Sequence, residues 1–429
     1  MAGQTTETAV HTSWETQASD LTTVIAGIQL AAVFLFSNSD RLGAAWLPQV
    51  LAIVLVMVFV ANYAGRPIRT VRIPVPIVLY ICWVLLAVMS TVMEPMNPEA
   101  RVTCITLVKV AVVTCLLSII VRTPRQLAQI SIIIICSFFI TAILNRDDIA
   151  AVRDAMAAGM LTDSSRLDGT MGNANVFGMY AVAVCWLGIL LILTASGTLV
   201  RLLALPAIPL GVAIALWTQS RKAILAIPLS VAMALILFVA TQPRGQSMRI
   251  WVRKHVLIIT TGVGLMAIAT LLVLHSPYGS RVRDLLSGKT DESAARRADM
   301  ARTGMRLWTR CPILGAGLHR FRIYYGDSYS HSTPIEVLTS TGLIGLTVYF
   351  SALILLVTRI FVLTKTAIDD DVLRAGIVVA VLALLFSLFN LFAVMHSDRL
   401  LWPLIGGFSG FVHGQESARQ ANGQWAVCR

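Results

Sequence analysis

The stretch Trp308-Thr-Arg-Cys-Pro-Ile-Leu-Gly-Ala-Gly-Leu-His-Arg-Phe-Arg322, continued by Tyr324-Tyr-Gly-Asp-Ser-Tyr-Ser-His-Ser-Thr-Pro334 and an apolar run to Phe350, decides the reading of this chain. It is the point where the longest polar segment turns apolar again. Two histidines (His319, His331), three arginines (Arg310, Arg320, Arg322) and a group of tyrosines gather there. Pro334 suits the first turn of a helix, with Ser332 or Thr333 as N-cap. The apolar run is therefore expected to be helical, with His331 just outside its N-terminus.

That run is one of twelve. Apolar segments span Leu21–Phe36, Trp46–Asn62, Pro74–Val92, Val102–Val121, Leu127–Leu144, Val176–Thr194, Leu199–Trp217, Ala223–Thr241, Val256–Leu274, Pro334–Val357, Val372–Val394 and Leu400–Val412. Most reach the roughly 17–25 residues that cross about 30 Å of hydrocarbon. The first, second and twelfth are short, and the last is compatible with an interfacial position. None alternates as a lipid-facing barrel strand does, so helices are the expected state. Charged residues make up only 13% of the chain and hydrophobic ones 57%, against about 25% charged in soluble domains. The fold class expected is an all-α polytopic membrane protein. A net charge of +12 then reads as basic loops facing anionic lipid or phosphate, and no nucleic acid is expected as partner.

The short loops fix an orientation. With the N-terminus inside, one side holds Arg66, Arg69, Arg72, Arg122, Arg125, Arg201, Arg244, Arg249, Arg253, Lys254, Arg359, Lys365 and Arg374, and the opposite short loops hold fewer cations. Both termini are expected to be cytoplasmic. The chain then divides into a cytoplasmic tail (1–20), nine spans (21–274), a large outer loop (275–333), three spans (334–412) and a second cytoplasmic tail (413–429). The acidic first twenty residues have no basic start, which gives no sign of a cleavable signal peptide. Five of the seven cysteines lie in apolar runs, Cys428 is in the tail and Cys311 is alone in the loop, so no disulfide or metal-ligand spacing emerges.

Several outer residues carry groups suited to chemistry. Arg221, in Trp217-Thr-Gln-Ser-Arg-Lys222, stands at a membrane edge, where a charge is costly without a partner. It is either an anchor beside Lys222 or a planar guanidinium for bidentate phosphate binding. At a helix N-terminus, His331 is favoured as neutral imidazole, the form a general base needs near pH 7; a capping role is the alternative. His319 follows a Gly-Ala-Gly turn and is compatible with facing water. Ser293 to Arg310 can form an amphipathic helix with Met300, Met305, Leu307 and Trp308 as apolar contacts, lying on headgroups or supplying a second phosphate-binding arginine. Gly342 and Gly345 suggest close helix packing. Lys109 is the exception in spans otherwise nearly free of charge, whereas a transporter would line its spans with charges. Nucleotide, dinucleotide, zinc-protease and nucleophile-elbow motifs are absent, and neither a cofactor nor a metal is expected.

Taken together, Pro312-Ile-Leu-Gly-Ala-Gly-Leu-His-Arg-Phe321, His331-Ser332 followed by nine residues and Gly342-Leu-Ile-Gly345 resemble the signature of bacterial O-antigen ligases, whose superfamily includes O-antigen polymerases and protein oligosaccharyltransferases. Arg166, Gly169, Asn173-Ala-Asn175 and Thr218-Gln-Ser-Arg221 resemble two further patches of that superfamily, and Ser332 stands where many relatives have Asn. The resemblance implies a GT-C-like glycosyltransferase in the bacterial inner membrane with its site on the periplasmic loop between spans nine and ten. It implies transfer of a glycan from undecaprenyl pyrophosphate to lipid A-core, inverting and metal-independent, in lipopolysaccharide biosynthesis. His331 would be the base and Arg221 would hold the pyrophosphate. Arg297, or else Arg281, would assist, and Arg166, His319 and Asn175 would complete the substrate contacts. A polymerase of the same superfamily shares the donor, and a lipid-linked oligosaccharide transporter is the reading from a different class.

Overall fold

The computed structural model describes residues 4–36, 46–63, 72–93, 97–158, 166–169, 172–241, 264, 292–326, 328–367 and 369–421. Among them the chain is helical: α1 (Gln4–Phe36), α2 (Leu47–Tyr63), α3 (Val75–Val92), α4 (Pro98–Ile120), α5 (Pro124–Leu144), α6 (Arg146–Ala157), α7 (Ala174–Thr194), α8 (Thr198–Ala204), α9 (Ala207–Trp217), α10 (Arg221–Ala240), α11 (Glu292–Arg310), α12 (Arg320–Tyr325), α13 (Thr333–Thr366), α14 (Asp370–Phe392) and α15 (Leu401–Ala421). Eight segments are long and apolar enough to cross a membrane, α8 and α9 together forming one of them, and Asp20–Phe36 and Leu47–Tyr63 are shorter apolar helices. Of the twelve expected spans, Val256–Leu274 lies outside the described residues. The chain is an all-α multi-pass membrane protein.

Local signals start and stop these helices where the sequence supplies them. Asn97 and Thr123 cap α4 and α5, the latter with a full capping box to Gln126, and proline fills the first turn of each. In the middle of the bundle, α7 is buried along most of its length and packs on α5, α9, α10 and α14. A helix apolar on all sides needs such a central place, since no single face of it can be given to water.

The last expected span is buried within the bundle. Residues 401–412 are all buried, and α15 packs along α4. Gly406, Gly410 and Gly414, four residues apart, face the backbone of α4 at Thr114 and Ser118 and of Arg122 just after it. A Cβ at Gly410 would come within 2.6 Å of the Val121 carbonyl oxygen. Small residues at this period let two helices approach backbone to backbone, a packing that substitutes for length and hydropathy in holding α15 inside.

The loop re-entry is built around a break in α13. Gly342 is non-helical (φ 65°, ψ −164°), in a region open essentially to glycine alone. Residues 312–317 fill the gap that this leaves. The amides of Leu343 and Ile344 donate to the carbonyls of Pro312 and Ile313 (2.9 and 3.3 Å), and those of Ala316 and Gly317 donate to Thr339 and Ser340 (2.7 and 3.0 Å). On the other side the Leu318 amide donates to Thr91 Oγ1 of α3 (3.0 Å), while Ser90 Oγ donates to the Ser340 carbonyl (3.0 Å). Irregular backbone next to hydrocarbon is stable only when every polar group is answered by protein, and here the loop answers the helix. The role expected for Gly342 as a packing residue is thus refined: it is the socket in which the loop is seated.

Candidate active site

The turn from α9 to α10 presents Arg221 and Lys222. Thr218, Gln219 and Ser220 are all buried, and Gln219 takes a positive φ of 53°. Arg166 braces the turn: its Nε donates to the Thr218 carbonyl and its Nη2 to Asn175 Oδ1, both at 3.2 Å. Ser220 Oγ also donates to Asn175 Oδ1, at 2.9 Å, and accepts from the Ala223 amide as the N-cap of α10. Arg166 and Asn175 thus hold the segment that carries Arg221, whatever further contact they make with a substrate.

His331 is fixed by its neighbours. Its backbone lies in the left-handed region (φ 57°). The Ser330 amide donates to buried Glu336 Oε1 at 2.7 Å, and Ser330 Oγ donates to the Ser332 carbonyl at 2.9 Å. Thr333 then ties the start of α13 to the chain after α14: its Oγ1 donates to the Ala393 carbonyl (2.6 Å) and accepts from the Met395 amide (2.8 Å). Ser332 is the N-cap residue but makes no side-chain cap bond; its hydroxyl donates to Leu391 O at 3.3 Å instead. Burial lowers the His331 pKa below that of an ordinary histidine, and the charges of Lys222, Arg297 and Arg296 lower it further. The ring is therefore neutral at pH 7 and able to accept a proton.

Two clefts meet at His331 and Lys222. One, of about 520 Å³, has Arg221, Lys222, Arg297 and His331 above an apolar wall that includes Leu225, Leu229, Leu385, Leu388, Phe389 and Phe392. The other, of about 610 Å³, is mixed: Thr103, Thr106, Asn173, Asn175, Tyr329, Asp398 and Arg399 line it beside apolar residues such as Val102, Val176 and Leu400. Arg297 arrives on α11, whose Met300, Gly304 and Leu307 face inward and pack with Phe321 and Ile335. Met305, expected among the apolar contacts, is 44% exposed. At about 100° per residue, positions 300, 304 and 307 share a stripe that 305 leaves.

His319 is not turned to water. It is 8% exposed, with φ 63°. Its Nε2 lies 2.5 Å from Thr103 Oγ1, and its Nδ1 lies 3.6 Å from Glu99 Oε2. Burial and the Arg322 charge lower its pKa, against an opposing pull from Glu99. Arg322 pairs with Glu99 (2.9 Å) and stands 4.7 Å from the centre of the Tyr329 ring. The group links the loop to the start of α4 and lies beside the mixed cleft, near but apart from the His331 junction. Arg281 lies outside the described residues.

Sequence reasoning read Lys222 only as an anchor and did not single out Tyr329 or Arg399. A cation adjacent to Arg221 on the first turn of a helix was the one signal for Lys222. Nothing local marks the other two, which join the cleft through tertiary contacts.

Residues 181–350 match the family model described as O-antigen ligase, a segment that holds Arg221, Arg297, His319 and His331. No curated protein matches the chain.

Proposed function

On the premise that the chain belongs to the O-antigen ligase family, we propose that it transfers a glycan from undecaprenyl pyrophosphate to a sugar hydroxyl of lipid A-core at the periplasmic face of the inner membrane. The single observation that carries this reading is the meeting of an apolar, cation-mouthed cleft with a more polar one at His331 and Lys222. A polyprenyl diphosphate needs a greasy channel under a cluster of cations. A glycan acceptor needs hydroxyls, amides and an aromatic face.

In this mechanism the donor lies with its lipid along Leu225, Leu229, Leu385 and Phe389 and its pyrophosphate against Arg221 and Arg297. Neutral His331 takes the proton of the acceptor hydroxyl as that oxygen attacks the anomeric carbon from the face opposite the diphosphate. The bond from that carbon to the phosphate oxygen breaks, and its electron pair leaves with the pyrophosphate. The two guanidiniums and the Lys222 ammonium stabilise the charge that develops there, so the step asks for no metal. A single displacement inverts the anomeric configuration. The proton remains on His331 and passes to solvent as the product departs.

The experiment is transfer by the purified chain in lipid nanodiscs, with undecaprenyl-pyrophosphate glycan, lipid A-core and a chelator. Glycosylated lipid A-core, lost in His331→Ala and in Arg221→Ala with both variants still inserted, supports the reading. Longer lipid-linked chains without that product move the assignment to the polymerase, and no glycosidic product from either acceptor returns it to transport.

A further inference from the structure

We propose that Tyr329 is the platform on which the accepting sugar lies: an uncharged pyranose stacks a face of C–H bonds on the open side of this ring, which sets its hydroxyl at His331. The proposal rests on the transfer reading above and adds to it the acceptor subsite and the chemical class of its ligand. Tyr329 is 41% exposed and lines the mixed cleft together with His331, two residues on. Ser330 between them is buried, its amide bonded to Glu336 and its hydroxyl to the Ser332 carbonyl. The spacing of ring and imidazole is therefore built into the fold before any ligand arrives.

The ring is held from behind. The Arg322 guanidinium stands over one face, 4.7 Å from the ring centre, with Nη1 3.4 Å from the phenol oxygen. The His319 imidazole meets the ring edge to face, with centres 6.1 Å apart. Arg322 is itself anchored to Glu99 at 2.9 Å. With one face taken, the opposite face is what a ligand can reach. An aromatic face is apolar and carries the negative side of the ring quadrupole, so it attracts the positively polarised C–H bonds of a sugar and repels an anion. The hydroxyl of Thr106 in the same cleft makes a matching demand. It donates to the Val102 carbonyl (2.9 Å), so towards a ligand it can only accept. A sugar hydroxyl brings the proton that this needs, and an ionised phosphate or carboxylate does not. Lys222, Asp398 and Arg399 line the cleft as well, charges of both signs, so no single sign of charge selects the ligand.

The test measures acceptor and donor KM in nanodiscs for the unaltered chain, for Tyr329→Leu, which keeps apolar bulk without a ring, and for Tyr329→Phe, which keeps the ring without its hydroxyl. The acceptors are intact and phosphatase-treated lipid A-core. Tyr329→Leu should raise acceptor KM roughly three- to tenfold, the size of one aromatic face contact, and Tyr329→Phe should recover the unaltered value to within about twofold. Donor KM stays unchanged in both. The Tyr329→Leu defect should be equally large on the phosphatase-treated acceptor, because the stacked sugar is uncharged. An acceptor KM that Tyr329→Leu leaves unchanged, a loss as large in Tyr329→Phe, or a donor KM that rises in step overturns the platform and leaves the transfer reading intact. So does a defect that disappears with the phosphates. No transfer to lipid A-core by the unaltered chain overturns both.

Discussion

Gly342→Ala tests the seating of the loop in the broken helix, independently of any assignment of substrate. Alanine at φ 65°, ψ −164° costs about 1–3 kcal/mol in backbone strain alone. Its Cβ would also run into the Ile313 carbonyl, and the nearest atom of Gly315 would stand only 2.7 Å away. Relief requires residues 312–317 to withdraw, which breaks the bonds from Leu343 N to Pro312 O and from Ile344 N to Ile313 O. Those two are worth together about 1–3 kcal/mol, so the loop's attachment is weakened by roughly 2–6 kcal/mol in all. Helix α13 itself survives, because it is broken at this point already. The assay is limited trypsin digestion of the chain in nanodiscs, reading cleavage at Arg310, Arg320 and Arg322, alongside glycan transfer. Gly342→Ala should be cut at these arginines at least tenfold faster and lose most of its activity. Gly326→Ala is the control: it also has a positive φ, in the milder left-handed helical region (φ 72°, ψ 56°), and a Cβ there meets nothing within 4 Å, so its digestion should stay near normal. Protease resistance and transfer both unchanged in Gly342→Ala would refute the idea that the loop is held by this socket.

Other outcomes follow from the same geometry. Because burial and the charges of Lys222, Arg297 and Arg296 depress the His331 pKa, the acidic limb of kcat/KM for transfer should lie below the ordinary histidine value of about 6.5. Removing a positive charge makes imidazolium less unfavourable, so Arg297→Gln should move that limb to higher pH; a limb that stays in place or moves down counts against His331 as the titrating base. Glu99→Gln should change transfer by no more than about fivefold, since its pair with Arg322 is half-exposed and such pairs contribute about 0–1 kcal/mol. His319→Ala, which removes a buried strut to Thr103, should lower the melting temperature of the detergent-solubilised chain by several degrees, and a melting temperature equal to that of Glu99→Gln would contradict the strut. Gly410→Leu should prevent α15 from packing on α4 and abolish folded protein on size-exclusion chromatography, whereas a monodisperse, active Gly410→Leu would show that the close approach is not needed.

The sequence by itself determined the helical membrane class, the approximate position of most of the apolar helices and two residues, His331 and Arg221, that line the same cleft. These follow from local quantities: the length of an apolar run, proline in a first turn, a charge where hydrocarbon should begin. It also carried the resemblance to O-antigen ligases, whose family model matches residues 181–350, because the signature residues lie close together in the chain. What only the tertiary structure decided depends on contacts between segments far apart. Leu400–Val412 reads as a short span compatible with an interfacial position, and its burial follows from glycines that match the α4 backbone. Gly342 reads alone as a packing residue, and only the arrival of residues 312–317 makes it a socket. Arg166 and Asn175 read as ligands of a substrate, and only the structure shows that they also brace the turn at Thr218 and Ser220. The two clefts have no sequence signature at all, since each draws its walls from helices separated by a hundred residues or more. A run of residues fixes its own helix through backbone bonds a few positions apart, but a cleft is a space between helices, and its chemistry exists only once the bundle has closed around it.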